Sequence, residues 1–395
     1  MLRTTPFHSR TAPLVRGETW RRWAGFQVAS AYEPVNDREY AAIRNAAALI
    51  DISPLWKYLV TGTDAARLLD RMVTRDVSHC EIGRVLYTPW CDSDGRVIDD
   101  GTVSRLGERE FRLTSAEPNL RWLHMNAAGM DVGIEDVTER IAALALQGPL
   151  SRAILQQVSP ADFAALRYFR LVQTRVRDIP VTISRTGYTG DLGYEIWVDA
   201  DRAPPLWDAL IETGANYGIA PCGIWAMDTA RIEAGLLMLD VDYYSAHHAL
   251  IEARKSSPFE INLGWAVKLD KGPFNGRRSL RDEAAREPAW GFAGIEVPWE
   301  SIAPLFQEHG LPTHLPTIPW RTSAPVYRGG NQIGYATTGC WSPLLKKFIA
   351  LAHLEAPHFA AGTRVELEVT VEHRRKRAAA VVTKLPFFNP ERKRA

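Results

Sequence analysis

Between residues 184 and 196 the chain reads Ser184-Arg185-Thr186-Gly187-Tyr188-Thr189-Gly190-Asp191-Leu192-Gly193-Tyr194-Glu195-Ile196. Residues 181–185 and 194–198 have strand character, so the eight residues between them form a loop. Three glycines in that loop demand an unusual backbone that closely approaches something else. The GxxxxGK[ST] and GxGxxG spacings are absent, so a phosphate nest is weakly supported. Glu195 alternates with Tyr194 and Ile196 in a half-buried strand, where a carboxylate needs a donor-rich partner to offset desolvation. Two partners fit: a bound ligand, or an arginine such as Arg231 in a buried ion pair.

Working outward, Asp92-Ser93-Asp94-Gly95 has tight-turn composition between residues 84–90 and 97–105, which predicts a β-hairpin. Asp99 and Asp100 fall on its outgoing strand. Adjacent strand residues point to opposite faces, so only one of the two can enter a given pocket, unless both simply serve the turn end. Upstream, Ala42, Ile43, Ala46 and Leu49 lie at helical spacing within 39–49, a strand follows over 56–60, and Asp64 is placed to cap a helix over 65–72. Downstream, a strand over 139–147 closes at Gly148-Pro149 before a helix over 149–158. Pro298, Pro304, Pro312, Pro316, Pro319 and Pro325 cannot donate to a sheet and predict irregular structure across 296–325. From 324 onward, short β-like runs at 325–327, 332–338, 348–354, 364–371 and 378–383 have the spacing of a small barrel or sandwich. The terminal Arg392-Lys393-Arg394 reads as frayed and solvated.

A chain of 395 residues is longer than one core supports, so two or three domains are expected. Lys+Arg 47 against Asp+Glu 46 leaves a net charge of +1, which argues against nucleic acid or an anionic membrane as partner. No window approaches the length of a membrane span. Cys80, Cys91, Cys222 and Cys340 show no CxxC spacing and read as reduced thiols of a cytoplasmic protein. The arginine-bearing start has no signal-peptide core, and a transit peptide is the alternative. His247-His248 lack metal-ligand spacing, so no metal is expected. Ser9, Ser53 and Ser342 sit in no GxSxG context.

The 184–196 stretch resembles the signature of the aminomethyltransferase family, the glycine cleavage T-protein and its relatives. Gly95 to Asp100 resembles the family's catalytic hairpin, and Pro221 to Leu236 its next motif. Further matches run from Trp23-Ala-Gly-Phe26 and Glu39 to Arg44, through Leu146-Gln-Gly-Pro149, to Thr338 to Pro343, Ile349 to Ala352 and Pro386-Phe-Phe. The resemblance implies an α+β architecture, a three-lobed ring of two mixed α/β folate-binding lobes plus a C-terminal β-barrel. It divides the chain into a folate-binding domain over 1–290, a Pro-rich connection over 291–323 and a barrel over 324–395.

The resemblance also implies tetrahydrofolate as cofactor and assigns roles residue by residue. Asp100 becomes the catalytic carboxylate, with Asp99 turned away. Glu195 becomes the acid that grips the pterin, whose ring N–H and amino group form a two-donor fork suited to two carboxylate oxygens. Leu55, Tyr87, Thr102, Thr114, Tyr168, Tyr188 and Trp265 fall where the family lines its folate channel. Met227 stands in Ala226-Met227-Asp228 where the family often has Ala-Arg-Asp, and a thioether cannot replace that guanidinium. Residues 111–122 lack the family's Asn-Ala or Asn-Ser step and look more like demethylase relatives such as dimethylsulfoniopropionate demethylase. The expected activity is therefore a tetrahydrofolate-dependent demethylase or methylene transferase, drawing carbon from an N-, O- or S-methylated small molecule, with or without an oxidase partner. Trp56, Trp90, Trp225 and Trp265 are candidates to surround a cationic donor, with core packing as their other role. One alternative is a glycine cleavage aminomethyltransferase served by a lipoylated carrier protein. Another is a non-catalytic folate-binding factor for iron–sulfur assembly.

Overall fold

The structure, a computed structural model, describes residues 2–395. Alternation of apolar and polar residues builds two sheets, each covered by helices on one face. The first has six strands in the order Leu171–Val176, Ile179–Ser184, Gly193–Asp199, Ile141–Gln147, Ala47–Asp51 and Ile219–Pro221. Its neighbours are antiparallel except for the last pair. Leu144, Leu146, Tyr194, Ile196 and Val198 point outward to Ile154 and Leu155 of helix Ser151–Val158 and to Leu206, Trp207 and Leu210 of helix Ala203–Gly214. The second has five antiparallel strands in the order Val85–Cys91, Val97–Gly107, Glu110–Ser115, Trp56–Thr61 and Gly133–Asp136. Tyr58, Val60, Val103, Phe111 and Leu113 pack outward against Leu68, Leu69 and Met72 of helix Ala65–Met72.

Period two then dictates what the inner faces carry. On the first sheet these are Ala143, Ala145, Glu195 and Trp197, in register as Ala145 opposite Glu195 and Ala143 opposite Trp197. On the second they are Tyr87, Asp100, Thr102, Arg112, Thr114 and Lys57, with Thr102 opposite both Tyr87 and Thr114. The inner faces meet where the Arg112 guanidinium lies 4.0 Å from the Trp197 ring centroid.

Six strands form the closed barrel: Trp290–Val297, Ala324–Arg328, Asn331–Ser342, Lys347–Glu355, Arg364–Val371 and Arg374–Thr383. The expected connection over 291–323 therefore begins inside the barrel. Phe292, Ala293, Ile295 and Val297 are buried, and no proline interrupts pairing with Lys347–Glu355 and Arg374–Thr383 until Pro298, which precedes helix Trp299–Gln307. That helix contains Pro304, so the proline-rich stretch is less irregular than its composition suggests.

Three other expectations change. The helix expected over 39–49 spans Asp37–Asn45 and gives way to strand Ala47–Asp51, whose five residues are all buried; a strand covered on both faces is as continuously apolar as a buried helix. Asp64 stands at the N-cap of Ala65–Met72, but its carboxylate accepts the amide of Asp131 at 3.0 Å and no helix amide. The terminal segment is docked, because Arg185 donates to the carbonyls of Arg392, Lys393 and Ala395, and Arg392 pairs with Asp191 at 2.7 Å.

Arg231, fully buried on helix Ile224–Glu233, ties the parts together. It binds Asp228 at 2.7 Å, Asp242, the Leu236 carbonyl at 3.2 Å and Thr338 of the barrel at 3.2 Å. Asp242 also accepts from Thr337, and Asp228 from Arg321 at 2.7 Å. Burial opposes the Arg231 charge, but Asp242 and Asp228 more than offset it and raise its pKa. Arg231→Met would leave two acids buried without their cation, so denaturant unfolding should show a loss of about 3–5 kcal/mol. A loss below about 1 kcal/mol would show that the cluster does not hold the lobes to the barrel.

Candidate active site

The hairpin separates its two acids as strand alternation requires. Asp99 is fully buried and takes the Asn119 amide at 2.9 Å and the backbone amides of Glu117 at 3.0 Å and Asp100 at 2.8 Å. Asp100 lies on the inner face, where Tyr87 donates to Oδ2 at 2.7 Å and Tyr243 donates to Oδ1. Gly101 is needed beside it, since a methyl group there would sit 1.9 Å from the Thr114 carbonyl oxygen. The Thr102 and Thr114 hydroxyls, next along the same face, are 2.5 Å apart. Trp265, 54% exposed, stacks on Tyr87 with ring centroids 6.2 Å apart.

Burial lifts the Asp100 carboxyl above the usual carboxylate range, Tyr243 and then Tyr87 pull it back by donating, and the like charge of Asp242 adds to the lift. Tyr243 was not legible as a site residue from sequence. It reaches Asp100 because Asp242, next to it, is clamped by Arg231 and by the Met238 amide at 2.9 Å. The same loop presents the Leu237 carbonyl to the Tyr188 hydroxyl.

Glu195 occupies the inner face of the other sheet. Its Oε2 accepts from Thr186 at 2.7 Å, and burial raises its pKa against the opposing effects of Thr186 and the Arg112 charge. Arg231 is not its partner, because that guanidinium is consumed by Asp228 and Asp242. The glycines of the 186–193 loop have a structural explanation. Methyl groups at Gly187 and Gly193 would fall 2.0 and 2.2 Å from the Gln147 amide oxygen, and Gly190, at φ +73°, would meet Ala234 at 2.4 Å. Gln147 in turn accepts from Thr189 at 2.9 Å and donates to the Thr186 carbonyl at 3.3 Å.

Tyr168 lies near Glu195 and the docked tail; its phenol is pushed up to about 12 by burial, with smaller opposed effects of Arg394 and Glu195. Leu55 and Tyr188 pack against the cluster that holds Met227, Ile50 and Trp197. The expected residues thus fall into two groups. Tyr87, Asp100, Thr102, Thr114 and Trp265 form one, Glu195 and Tyr168 the other, while Leu55, Tyr188 and Met227 stand apart from both in the apolar cluster of Trp197. A separate cleft of about 330 Å³, lined by Asn36, Tyr40, Trp299 and Trp341 among others, contains none of these acids.

The donor set fits a reduced pterin. Among the described residues, Glu195 has an oxygen that takes no donor and Arg112 has buried N–H groups that find no acceptor. Comparison with known proteins agrees. The GCVT N-terminal domain profile matches residues 7–271, and that of the glycine cleavage T-protein C-terminal barrel domain matches 310–389. The chain is 33% identical over 372 residues to an aminomethyltransferase of Bacillus mycoides (strain KBAB4) and 34% identical over 372 residues to one of Bacillus cereus (strain ZK / E33L). Each match covers 93% of this chain and 93% of the relative. The glycine cleavage system aminomethyltransferase T of Bartonella henselae superposes with a TM-score of 0.83 at 24% identity, over 98% of this chain and 99% of that one, a likeness of fold.

Fold, site and relatives together define a tetrahydrofolate-dependent one-carbon transferase. The chain belongs to the aminomethyltransferase family, that of the glycine cleavage T-protein. Among the described residues no helix is long and apolar enough to cross a membrane.

Tyr243→Phe tests the hydroxyl clasp on Asp100. Removing a donor that favours the anion raises the carboxyl pKa further, so the acid limb of the kcat/KM profile should move to higher pH and the rate at neutral pH should fall about tenfold or more. A limb that stays put or moves down would show that Tyr243 does not support an ionised Asp100.

Proposed function

We propose that the chain is a tetrahydrofolate-dependent demethylase that takes a methyl group from an N-, O- or S-methylated small molecule, or a methylene transferase where an oxidase partner has first raised that carbon to an imine or aminomethyl adduct. The observation that carries this reading is Asp100, clasped by two tyrosine hydroxyls on one inner face, with Glu195 on the facing one. Tetrahydrofolate supplies the nucleophilic nitrogen that accepts the carbon. Asp100 orients that nitrogen, stabilises positive charge developing beside it and can take its proton, while Tyr87 and Tyr243 hold the carboxylate in one orientation. Glu195, steadied by Thr186, takes the pterin's paired N–H groups.

One feature favours a small methylated donor. Met227 is buried among apolar side chains where the family often has an arginine. Trp265, 54% exposed, stacks on Tyr87 and so stands beside Asp100, but the Arg75 guanidinium lies 5.3 Å from its ring centroid and already takes the cation–π attraction that a cationic donor would use. A sulfonium, an ammonium or an activated aryl ether has the leaving group that direct methyl transfer needs. A second reading rests on the Bacillus relatives, which are named aminomethyltransferases over 93% of the chain. In that case a lipoylated carrier protein would deliver the carbon.

Incubation with tetrahydrofolate and a panel of methylated donors, followed by mass spectrometry of 5-methyl- and 5,10-methylenetetrahydrofolate, separates these readings. A product formed with a small donor alone supports the first, and one that requires a loaded lipoyl carrier supports the second. Asp100→Asn should cut turnover by about 10²-fold or more while folate affinity stays within a few-fold. Glu195→Gln should instead weaken folate binding by about tenfold or more. Turnover unchanged in Asp100→Asn removes that residue from the chemistry.

A further inference from the structure

Arg112 is the buried polar side chain with the least protein support in the inner faces. It is 2% exposed, its Nε and Nη2 are sealed from solvent without acceptors, and among the described residues the guanidinium forms no hydrogen bond or ion pair. Its ring partner Trp197 supplies attraction at 4.0 Å but cannot accept the in-plane N–H groups. Lys57, on the same face, shows what a satisfied buried cation looks like here: its Nζ donates to the carbonyls of Ser53 at 2.6 Å and Leu55 at 2.7 Å. The acid that attracts Arg112 is Glu195, yet the two do not close into a salt bridge. Among the described residues, Glu195 has Oε2 on Thr186 and Oε1 without a donor. Two complementary groups on the inner faces of the two sheets thus keep hydrogen-bonding capacity unspent, an arrangement a buried site retains only at a cost unless a ligand completes it.

We propose that Arg112 and Glu195 form one recognition edge for the pyrimidine side of the pteridine, with Arg112 donating to the 4-oxo oxygen while Glu195 accepts from N3–H and the 2-amino group. The proposal rests on the folate reading above and adds a residue and a chemical selectivity to it. Along that edge a 4-oxopteridine presents donor, donor, acceptor. The protein presents the complement, two carboxylate oxygens and a guanidinium N–H. A 4-amino-4-deoxypteridine presents a donor where Arg112 requires an acceptor, so two N–H groups would oppose each other in a desolvated site. Met227, where the family often carries a cation, belongs to the same apolar cluster as Trp197, and Arg112 reaches that ring from the second sheet.

The test is the ratio of Kd for 4-amino-4-deoxytetrahydrofolate to Kd for tetrahydrofolate, measured by calorimetry on the full chain and on Arg112→Met and Arg112→Lys. Discrimination exerted by Glu195 is common to all three proteins, so the change in ratio isolates Arg112. The wild-type ratio should be about tenfold or more, Arg112→Met should bring it down at least about fivefold mainly by weakening the 4-oxo ligand, and Arg112→Lys should retain part of it. Circular dichroism establishes that each variant is folded; should Arg112→Met fail to fold, Arg112→Lys and the wild-type ratio decide. A wild type that binds both ligands equally, or a folded variant that weakens both in parallel with the ratio intact, overturns the proposal and leaves the folate reading standing. A wild type that binds no reduced folate overturns both.

Discussion

The buried cluster of Arg231, Asp228 and Asp242 is the constraint on which the rest of the molecule hangs. It joins a helix of the first lobe, the loop that follows and the barrel strand carrying Thr337 and Thr338. Its importance for function is indirect. By clamping Asp242 it sets Tyr243 against Asp100, and by binding the Leu236 carbonyl it fixes the loop whose next carbonyl takes the Tyr188 hydroxyl. A buried ion cluster is a poor source of net stability but a strong source of position, because an acid deprived of its cation has nowhere favourable to go.

Position is what the site requires. Two sheets of different parentage turn one inner face each toward the other, and each inner face carries one acid, Asp100 or Glu195. Among the described residues neither acid makes an ion pair, and burial raises the pKa of both. Hydroxyl donors, Tyr87 and Tyr243 for one and Thr186 for the other, keep them oriented without neutralising them. Acids supported in this way remain available to a ligand whose own N–H groups or developing charge complete them.

Much of this was legible in the sequence for definite reasons. Strand alternation alone separated Asp99 from Asp100, and three close-set glycines announced a backbone pressed against something, although nothing local identified the Gln147 amide as that neighbour. Family likeness then assigned Asp100 and Glu195 their roles. What escaped was long-range. Tyr243 comes to Asp100 from 143 positions away through a loop with no regular structure of its own. Arg112 drew no attention in the sequence, and its burial against Trp197 emerges only when the two sheets face each other. Strand Trp290–Val297 was hidden by the prolines that follow it, and the docked tail by its charge.

The site requires both acids to act on a single bound molecule. A crystal structure of the protein with tetrahydrofolate tests it most directly. One pteridine is expected between the sheets, its amino-bearing edge on Glu195 and its reacting nitrogen turned toward Asp100. A ligand that touches only one of the acids, or that settles in the cleft beside Trp299 and Trp341, would contradict it.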